Sequence, residues 1–370
     1  MLLLSLLAFL VSLVAAGAIV RWSPGRLGEC GPHDPPQRFH EGNVPRIGGI
    51  ALLAGIALAW LVAWVETAFF NDPARLRLDG QGFTWLVIVL PAVLGGIAED
   101  LTQRLSVRFR LALTATAGLL AVAWFGFSVP RVGLPGLDLL LQMAPWLGAA
   151  IALVAVAGLP HAFNIIDGYN GLAAMVAIVV CLALAHVALQ VDDRALAMLM
   201  VTTAAATLGF LVWNYPYGMV FAGDGGAYLW GIVVALASLS LVQRHAEVSP
   251  WFPVLLLIYP VWETLFSMYR KLRHGVSPGV ADALHFHQLI YRRIVSRVFD
   301  DDAARAMLMR NSRTSPYLWG LTLLTAVPAV LFWNRTWVLI GFCAVFVVGY
   351  VLAYLALIRF KVPRVLRRRR

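Results

Sequence analysis

Acidic and amide side chains gather in a few short polar segments of an otherwise apolar chain. The central segment, 161–172 (HAFNIIDGYNGL), places a histidine, two asparagines and an aspartate between two apolar runs. Polar groups in such surroundings are costly unless they have partners or a function. Gly168 and Gly171 would also suit an ordinary helix junction, with the amide or carboxylate side chains capping the next helix. The segment alone therefore leaves both interpretations open.

Carboxylates in this and other segments supply the ligand type of a hard divalent cation. Four acidic residues lie at predicted helix ends: Glu99, Asp100, Asp167 and Asp224. Their oxygens suit Mg²⁺ or Mn²⁺ better than zinc. Basic side chains that could hold phosphates by charge-assisted hydrogen bonds are Arg108, Arg270, Lys271, Arg273, His285 and His287. Carboxylates, a hard cation and basic groups together indicate phosphoryl chemistry.

The composition is that of a membrane protein. Of 370 residues, 61% are hydrophobic and 13% are charged, and the mean hydropathy is +0.79. These values predict an all-α, polytopic bundle of transmembrane helices. The net charge of +10 does not indicate nucleic acid binding, because the basic residues occupy short loops and a terminal run, as topology signals do. The 3 cysteines lack metal-like spacing and predict no disulfide framework.

Apolar segments long enough to cross a bilayer recur along the whole chain. They are 1–20, 48–70, 82–98, 111–128, 144–160, 172–189, 196–213, 226–243, 250–268, 317–333 and 336–358. We therefore predict one integral-membrane domain over 1–370 with about eleven transmembrane helices. It would carry a basic loop at 269–316 and a basic tail at 359–370.

The distribution of basic residues predicts the orientation. Most of the 29 Lys and Arg residues fall in alternate connecting segments, which the positive-inside rule assigns to the cytoplasm. The amino terminus would then be periplasmic and the carboxyl terminus cytoplasmic, as an odd number of spans requires. The polar residues form five clusters, at 38–49, 99–110, 164–170, 223–226 and 282–287, and all five would face the cytoplasm. This one-sidedness favours an enzyme over a transporter, which would bury ionisable groups near the midplane and show related halves.

Each cluster alone also has a structural interpretation. The pair Glu99-Asp100 could cap a helix, and the segment 223–226 (GDGG) could be an ordinary turn. His285 and His287, two residues apart, would not face each other on a helix, although they can converge from a loop. They could also be an ordinary pair at the membrane interface. Five such clusters on one face are much harder to explain in this way.

Five motifs, in order, resemble those of the polyprenyl-phosphate N-acetylhexosamine-1-phosphate transferases. This family includes the undecaprenyl-phosphate GlcNAc-1-phosphate transferases and phospho-N-acetylmuramoyl-pentapeptide transferase. The motifs are HDPPQRFHEGNVPRIGGIAL (33–52), EDLTQRLSVRFRL (99–111), NIIDGYNGLAA (164–174), FAGDGGAYLWG (221–231) and DALHFHQLIYRR (282–293). The resemblance extends from about Pro32 to the last predicted span.

The resemblance implies a reaction at a bacterial inner membrane. An N-acetylhexosamine 1-phosphate would pass from a UDP-sugar to undecaprenyl phosphate on Mg²⁺ or Mn²⁺, with release of UMP. The sugar would be GlcNAc or a deoxy-amino sugar, and the pathway O-antigen (lipopolysaccharide) or exopolysaccharide assembly in the cell envelope. A muramoyl-pentapeptide donor is less favoured by the late motif. The protein could form a homodimer.

The resemblance also implies roles for individual residues. Asp100 would orient or deprotonate the lipid phosphate, with Glu99 beside it. Asp224 would be the main metal ligand, and Asn164 or Asp167, itself also a catalytic candidate, would assist it.

Substrate-binding roles are implied for Asn164 as well and for four further residues. Asn170 would contact the uracil, while His285 and His287 would hold the pyrophosphate. Arg108 would stand near the phosphates in place of the family's lysine.

Several positions depart from the family pattern. Glu99 stands for an Asp, Arg108 for a Lys, His161 for an Asn, Ala227 for a Ser and Gln288 for a His. The change at Glu99 makes that residue a less favoured direct base than Asp100. Two other classes remain: a non-catalytic protein that binds or flips the lipid carrier, and a lipid-diphosphate phosphatase, which would explain neither Asn170 nor the GDGG turn.

Overall fold

The computed structural model describes residues 1–22, 44–69, 80–275, 284–295 and 303–359, which fold into helices without a strand. The helices are α1 (Leu2–Trp22), α2 (Gly48–Phe69), α3 (Gln81–Thr102), α4 (Val107–Leu119), α5 (Pro135–Met143), α6 (Pro145–Ile166), α7 (Leu172–Gln190), α8 (Arg194–Asn214), α9 (Gly223–Arg244), α10 (Trp251–Leu256), α11 (Ile258–Arg273), α12 (Phe286–Ile290), α13 (Ala303–Leu331) and α14 (Thr336–Arg359). Two π-helical turns, Leu120–Trp124 and Tyr291–Val295, extend α4 and α12.

Ten helices of the described residues are long and apolar enough to cross a membrane. The predicted all-α, polytopic membrane fold is confirmed. The count differs from eleven at 250–268, where the chain forms the short helix α10 and the separate helix α11. Pro260 lies in the first turn of α11 and has no backbone N–H, which favours a break at this point. The 16-residue α11, which also carries Glu263 and a basic last turn, is too short to cross the membrane as a single helix.

Helix α9 is the centre of the bundle. Residues from Gly223 through Val242 are buried, because the helix is apolar or small on every side, as a core helix must be. It packs against α2, α3 and α6. Close approach depends on glycine: a Cβ at Gly96 of α3 would lie 2.6 Å from the backbone nitrogen of Gly225, and one at Gly231 would lie 2.4 Å from that of Pro160 in α6.

The segment before α2 pairs with the segment before α9. The backbone N–H of Phe221 donates to the carbonyl of Pro45, and that of Gly48 donates to the carbonyl of Phe221, both at 2.9 Å. The N–H of Gly49 donates to the carbonyl of Ala222, also at 2.9 Å. These bonds place the first and fourth predicted motifs side by side.

Parts of the predicted polar segments lie outside the described residues. These parts are 23–43, most of the tail 359–370, and 276–283 and 296–302 within the predicted loop 269–316. The rest of that loop contains the end of α11, all of α12 and the start of α13. The single-domain organisation of 1–370 stays a prediction.

The orientation also stays a prediction. Ten crossings would place both termini on the same side, so opposite termini require that α10 and α11 together cross the membrane. Two reporter fusions test this. A reporter fused after Arg370 is expected to report a cytoplasmic location, and one inserted near Asp192 a periplasmic location. The physical reason is the concentration of Lys and Arg in alternate connecting segments. The measurement is paired alkaline phosphatase and fluorescent-protein fusions at each position. If both positions report the same side, the predicted arrangement of the five motifs is wrong.

Candidate active site

Asp100 and Asp224 join the end of α3 to the start of α9. The Oδ1 atom of Asp100 accepts a hydrogen bond from the backbone N–H of Asp224 at 2.9 Å, and its Oδ2 accepts one from Gly225 at 3.0 Å. The first N–H groups of a helix have no partner within the helix and carry its positive dipole end. Asp100 supplies that partner and is only 3% exposed. Its carboxylate therefore fixes the position of Asp224.

The Asp224 carboxylate is the point where three helices meet. Its Oδ1 accepts from Nδ2 of Asn164 in α6 at 2.6 Å. Its Oδ2 accepts from the Arg110 guanidinium of α4 at 2.5 Å and from the Tyr228 hydroxyl at 3.1 Å. Asp224 is 4% exposed, and a buried carboxylate is stable only with such partners. The predicted proximity of Asn164 and Asp224 is observed.

Asp167 lies beside this group, at the residue that ends α6. Burial raises the pKa of its carboxyl to about 7, an effect that the charge of Arg46 opposes and the charge of Asp224 reinforces. Arg46 reaches the site because its segment pairs with the segment before α9. Gly223 makes this possible: it has φ +69°, and a Cβ there would lie 2.0 Å from the Arg46 carbonyl oxygen.

The late histidines approach the central segment from α12. A Cβ at Gly168 would lie 3.3 Å from Nε2 of His287, and the rings of His287 and Tyr169 meet edge to face with centroids 5.5 Å apart. The rings of His285 and His287 stack in parallel, with centroids 5.2 Å apart and planes 7° apart. The structure thus brings the fifth predicted motif against the third.

Glu263 of α11 is a buried carboxylate that the sequence analysis missed. It is 1% exposed, and its Oε1 lies 3.1 Å from Nδ1 of His285. The available signal was a lone acidic residue inside the apolar run 250–268, since ionisable groups in such runs are rarely there without a function.

Comparison with known proteins identifies the family. A sequence model described as glycosyl transferase family 4 matches residues 83–242. The chain is 31% identical to a phospho-N-acetylmuramoyl-pentapeptide-transferase of Synechococcus sp. (strain JA-3-3Ab), over 72% of this chain and 76% of that protein. The chain belongs to the polyprenyl-phosphate N-acetylhexosamine-1-phosphate transferases, within glycosyl transferase family 4.

Two further relatives are undecaprenyl-phosphate N-acetylglucosaminyl 1-phosphate transferases. The chain is 28% identical to an undecaprenyl-phosphate alpha-N-acetylglucosaminyl 1-phosphate transferase of Yersinia pestis, over 69% of this chain and 68% of that protein. It is 26% identical to a protein of the same name from Thermotoga maritima, over 70% of this chain and 72% of that protein. The predicted family and the predicted class, an integral-membrane transferase, are confirmed.

The two residues of the acidic pair, Glu99 and Asp100, have different surroundings. Each oxygen of Asp100 accepts one backbone N–H group, and the role of Asp100 toward the lipid phosphate stays a prediction. Glu99 is half-buried, and its Oε2 accepts from the backbone N–H of Leu105 at 2.7 Å. Of the two residues, Glu99 is thus the one with carboxylate surface that can face a substrate.

The basic residue beside the carboxylates is Arg110 rather than Arg108. The side chain of Arg108 is exposed, whereas that of Arg110 reaches Asp224. Residues two apart on a helix point about 200° away from each other, so only one of them can face the site. The substrate contact of Arg108 stays a prediction, and Arg110 is the arginine that the structure places beside Asp224.

Alanine substitutions separate these two arginines. Arg110→Ala is expected to lower turnover at least about tenfold, or ~1.4 kcal/mol of barrier, because it removes the cation next to Asp224. Arg108→Ala is expected to stay close to the wild-type rate. Turnover by purified protein is the measurement, with Arg110→Lys as the charge-retaining control. Equal losses for Arg108→Ala and Arg110→Ala would contradict the assignment.

The side chain of Asn170 is buried and forms hydrogen bonds within the protein. It is 0% exposed, and its amide nitrogen donates to the Pro216 carbonyl at 3.0 Å and to the Ser312 hydroxyl at 3.1 Å. Its backbone N–H donates to the Asn311 side chain at 2.8 Å. Both amide hydrogens are therefore used within the protein, whereas the amide oxygen Oδ1 has no hydrogen-bond partner among the described residues. The contact with a uracil stays a prediction, and the observed contacts of Asn170 tie the central segment to α13.

The donor set suits Mg²⁺. Among the residues that the structure describes, no group of three or more His, Cys, Asp and Glu side chains surrounds one metal position. Mg²⁺ is usually held by one or two carboxylates, with water and substrate phosphates completing its shell. Asp224 and Asp167, with the side-chain oxygen of Asn164, match that smaller requirement. The chemistry of these residues fits the predicted cation.

Proposed function

We propose that this transferase moves N-acetylhexosamine 1-phosphate from a UDP-sugar to undecaprenyl phosphate and releases UMP. The observation that carries the proposal is the convergence of Asn164 and Arg110 on Asp224, with the basic late motif at the same end of the bundle. The names of two relatives support undecaprenyl phosphate as the acceptor and N-acetylglucosamine 1-phosphate as the transferred group. Cations and carboxylates placed together in this way suit transfer between two phosphate groups.

The reaction exchanges one phosphoanhydride bond for another. An oxygen of the lipid phosphate attacks the β-phosphorus of the UDP-sugar, and the bond from that phosphorus to the bridging oxygen breaks. UMP leaves with the bridging oxygen and its developing negative charge. The lipid phosphate is already an anion, so positioning matters more than deprotonation.

The residues of the chain divide this work. Arg110 places a positive charge where the diphosphate oxygens would lie, and Glu99 faces the incoming lipid phosphate and shapes the field around it. His285 and His287 hold the diphosphate by hydrogen bonds. Asp100 acts indirectly, because it fixes the first turn of α9.

A bound Mg²⁺ or Mn²⁺ would neutralise charge on the diphosphate and on the departing UMP. Asp224 would be its main ligand, with Asn164 and Asp167 beside it. A protein that only binds or flips the lipid carrier would have no need for this set of buried polar contacts around one carboxylate, and we therefore favour catalysis.

The site would face the cytoplasm, where UDP-sugars are made, and the product would start a lipid-linked polysaccharide such as O-antigen or exopolysaccharide. The favoured donors are UDP-GlcNAc and UDP-linked deoxy-amino sugars. The muramoyl-pentapeptide donor is the alternative that the name of the Synechococcus relative raises.

A donor panel tests the proposal. Purified protein in detergent is incubated with undecaprenyl phosphate, Mg²⁺ and one UDP-sugar at a time, including UDP-N-acetylmuramoyl-pentapeptide. UMP release and lipid-linked product are measured together. We expect both, in equal amounts, with at least one N-acetylhexosamine donor, and loss of both after chelation with recovery on added Mg²⁺. Lipid binding without UMP release for every donor would favour the carrier-binding alternative.

A further inference from the structure

Glu263 sits at the meeting point of α11, α12 and α14. Its Oε1 lies 3.1 Å from Nδ1 of His285 and accepts the backbone N–H of Phe286 at 3.0 Å. Its Oε2 accepts the hydroxyl of Tyr350, in α14, at 2.9 Å. Three donors from two other segments therefore hold a carboxylate that is 1% exposed. Burying a charge is costly even when it is fully paired, so this arrangement calls for an explanation.

The negative charge of Glu263 is not needed to anchor the start of α12. The backbone N–H of His285 has its own acceptor, Oε1 of Gln288, at 3.3 Å. The preceding carbonyl, of Leu284, accepts from the Arg270 guanidinium at 2.7 Å. The start of α12 is thus anchored on both sides by groups other than Glu263. A neutral side chain of the same shape could accept the Phe286 N–H equally well.

The negative charge of Glu263 can instead orient the imidazole ring of His285. The carboxylate sets Nδ1 of His285 as the nitrogen that carries a proton and turns toward α11. Because the two ring nitrogens point in different directions, Nε2 is then the one directed to other groups. The parallel stack of His285 on His287 passes this orientation on to the ring that lies against Gly168.

We propose that Glu263 is a positioning residue for sugar-phosphate transfer, acting through His285 to aim the two late histidines at the substrate diphosphate. The inference rests on the proposed function, in which these histidines hold the diphosphate. For histidines that bind metal ions, loss of the carboxylate that orients the ring from behind typically costs about 10–100-fold in affinity or activity, and we expect a similar effect for histidines that hold a diphosphate.

The test is a double-mutant cycle. Glu263→Gln keeps the shape and an acceptor for Phe286 but removes the charge, and it is made in wild-type protein and in His285→Ala. The matched control is Tyr350→Phe, which removes a donor from the same carboxylate and leaves the contact with His285. Each variant is assayed well below its Tm for kcat, for KM of the UDP-sugar and of undecaprenyl phosphate, and for UMP binding by calorimetry.

We expect Glu263→Gln to lower kcat/KM for the UDP-sugar about 10–100-fold and to weaken UMP binding, with little change in KM for the lipid. In the His285→Ala background the same substitution should have almost no further effect. Tyr350→Phe should remain near wild type.

Three outcomes would overturn the inference. They are independent losses for Glu263→Gln and His285→Ala, equal losses for Glu263→Gln and Tyr350→Phe, or a Glu263→Gln protein that fails to fold while Tyr350→Phe folds. The last would show that the charge serves the fold. A wild-type protein that releases no UMP would instead reject the proposed function, so the two failures are distinguishable.

Discussion

Asp224→Asn is expected to abolish nearly all transfer while the helical fold is retained. The amide has almost the same shape, but it removes the negative charge around which Asn164 and Arg110 are arranged. It also removes the main charged ligand of the proposed cation. We expect a loss of at least about a thousandfold, or ~4 kcal/mol of barrier at 1.36 kcal/mol per tenfold change. UMP release at saturating substrates is the measurement.

Tyr228→Phe is the matched control for this substitution. It removes the hydroxyl that donates to the same Oδ2 at 3.1 Å and leaves the carboxylate and its charge in place. We expect it to retain most of the activity. Raising the Mg²⁺ concentration should recover little turnover in Asp224→Asn, since the lost ligand is charged. Turnover close to wild type in Asp224→Asn would reduce the GDGG segment to a helix start without a catalytic role.

The class of fold could be predicted because its signal is long and redundant. Each apolar run that became a helix contains many residues, so a few misplaced ones do not change the result. The exception, 250–268, shows the limit of this signal. Its mean apolarity conceals Pro260 and Glu263, and only the three-dimensional arrangement shows that Glu263 contacts His285 and Tyr350.

The membership of the site was easier to predict than the task of each residue. Sequence motifs place Asp100, Asn164 and Asp224 in one site, and they do meet there. Whether a side chain forms its hydrogen bonds within the protein or with a substrate depends on contacts between distant segments. Asn170 is 0% exposed because α13 covers it, and no property of the central motif alone indicates that cover.

The contact of Arg110 with Asp224 could not be predicted for a different reason. Arg108 and Arg110 lie in one motif, and alignment with a family pattern selects the residue at the matching position. A helix separates their directions by about 200°, so the choice depends on how α4 is rotated against α6 and α9. That rotation is set by packing of the whole helix.

Asp100→Asn is expected to lower both Tm and turnover, whereas Glu99→Gln is expected to lower turnover alone. In Asp100→Asn, an amide replaces one of the two oxygens that accept from the backbone of Asp224 and Gly225. One N–H at the start of α9 then faces a donor, which costs about 1–3 kcal/mol and displaces Asp224. Both Tm and turnover should fall, and the loss of turnover should exceed that of Glu99→Gln.

Glu99→Gln keeps an acceptor for the Leu105 N–H and removes only charge near the lipid phosphate. Turnover should fall about 10–100-fold, roughly 1.4–2.7 kcal/mol of barrier, with Tm unchanged, whereas Glu99→Asp should be tolerated. Tm by scanning calorimetry and turnover are measured on the same preparations. If Asp100→Asn keeps its Tm but loses all turnover while Glu99→Gln is unaffected, Asp100 contacts the lipid phosphate directly. In that case its two backbone hydrogen bonds must open during the reaction, and the division of the acidic pair drawn from the structure is wrong.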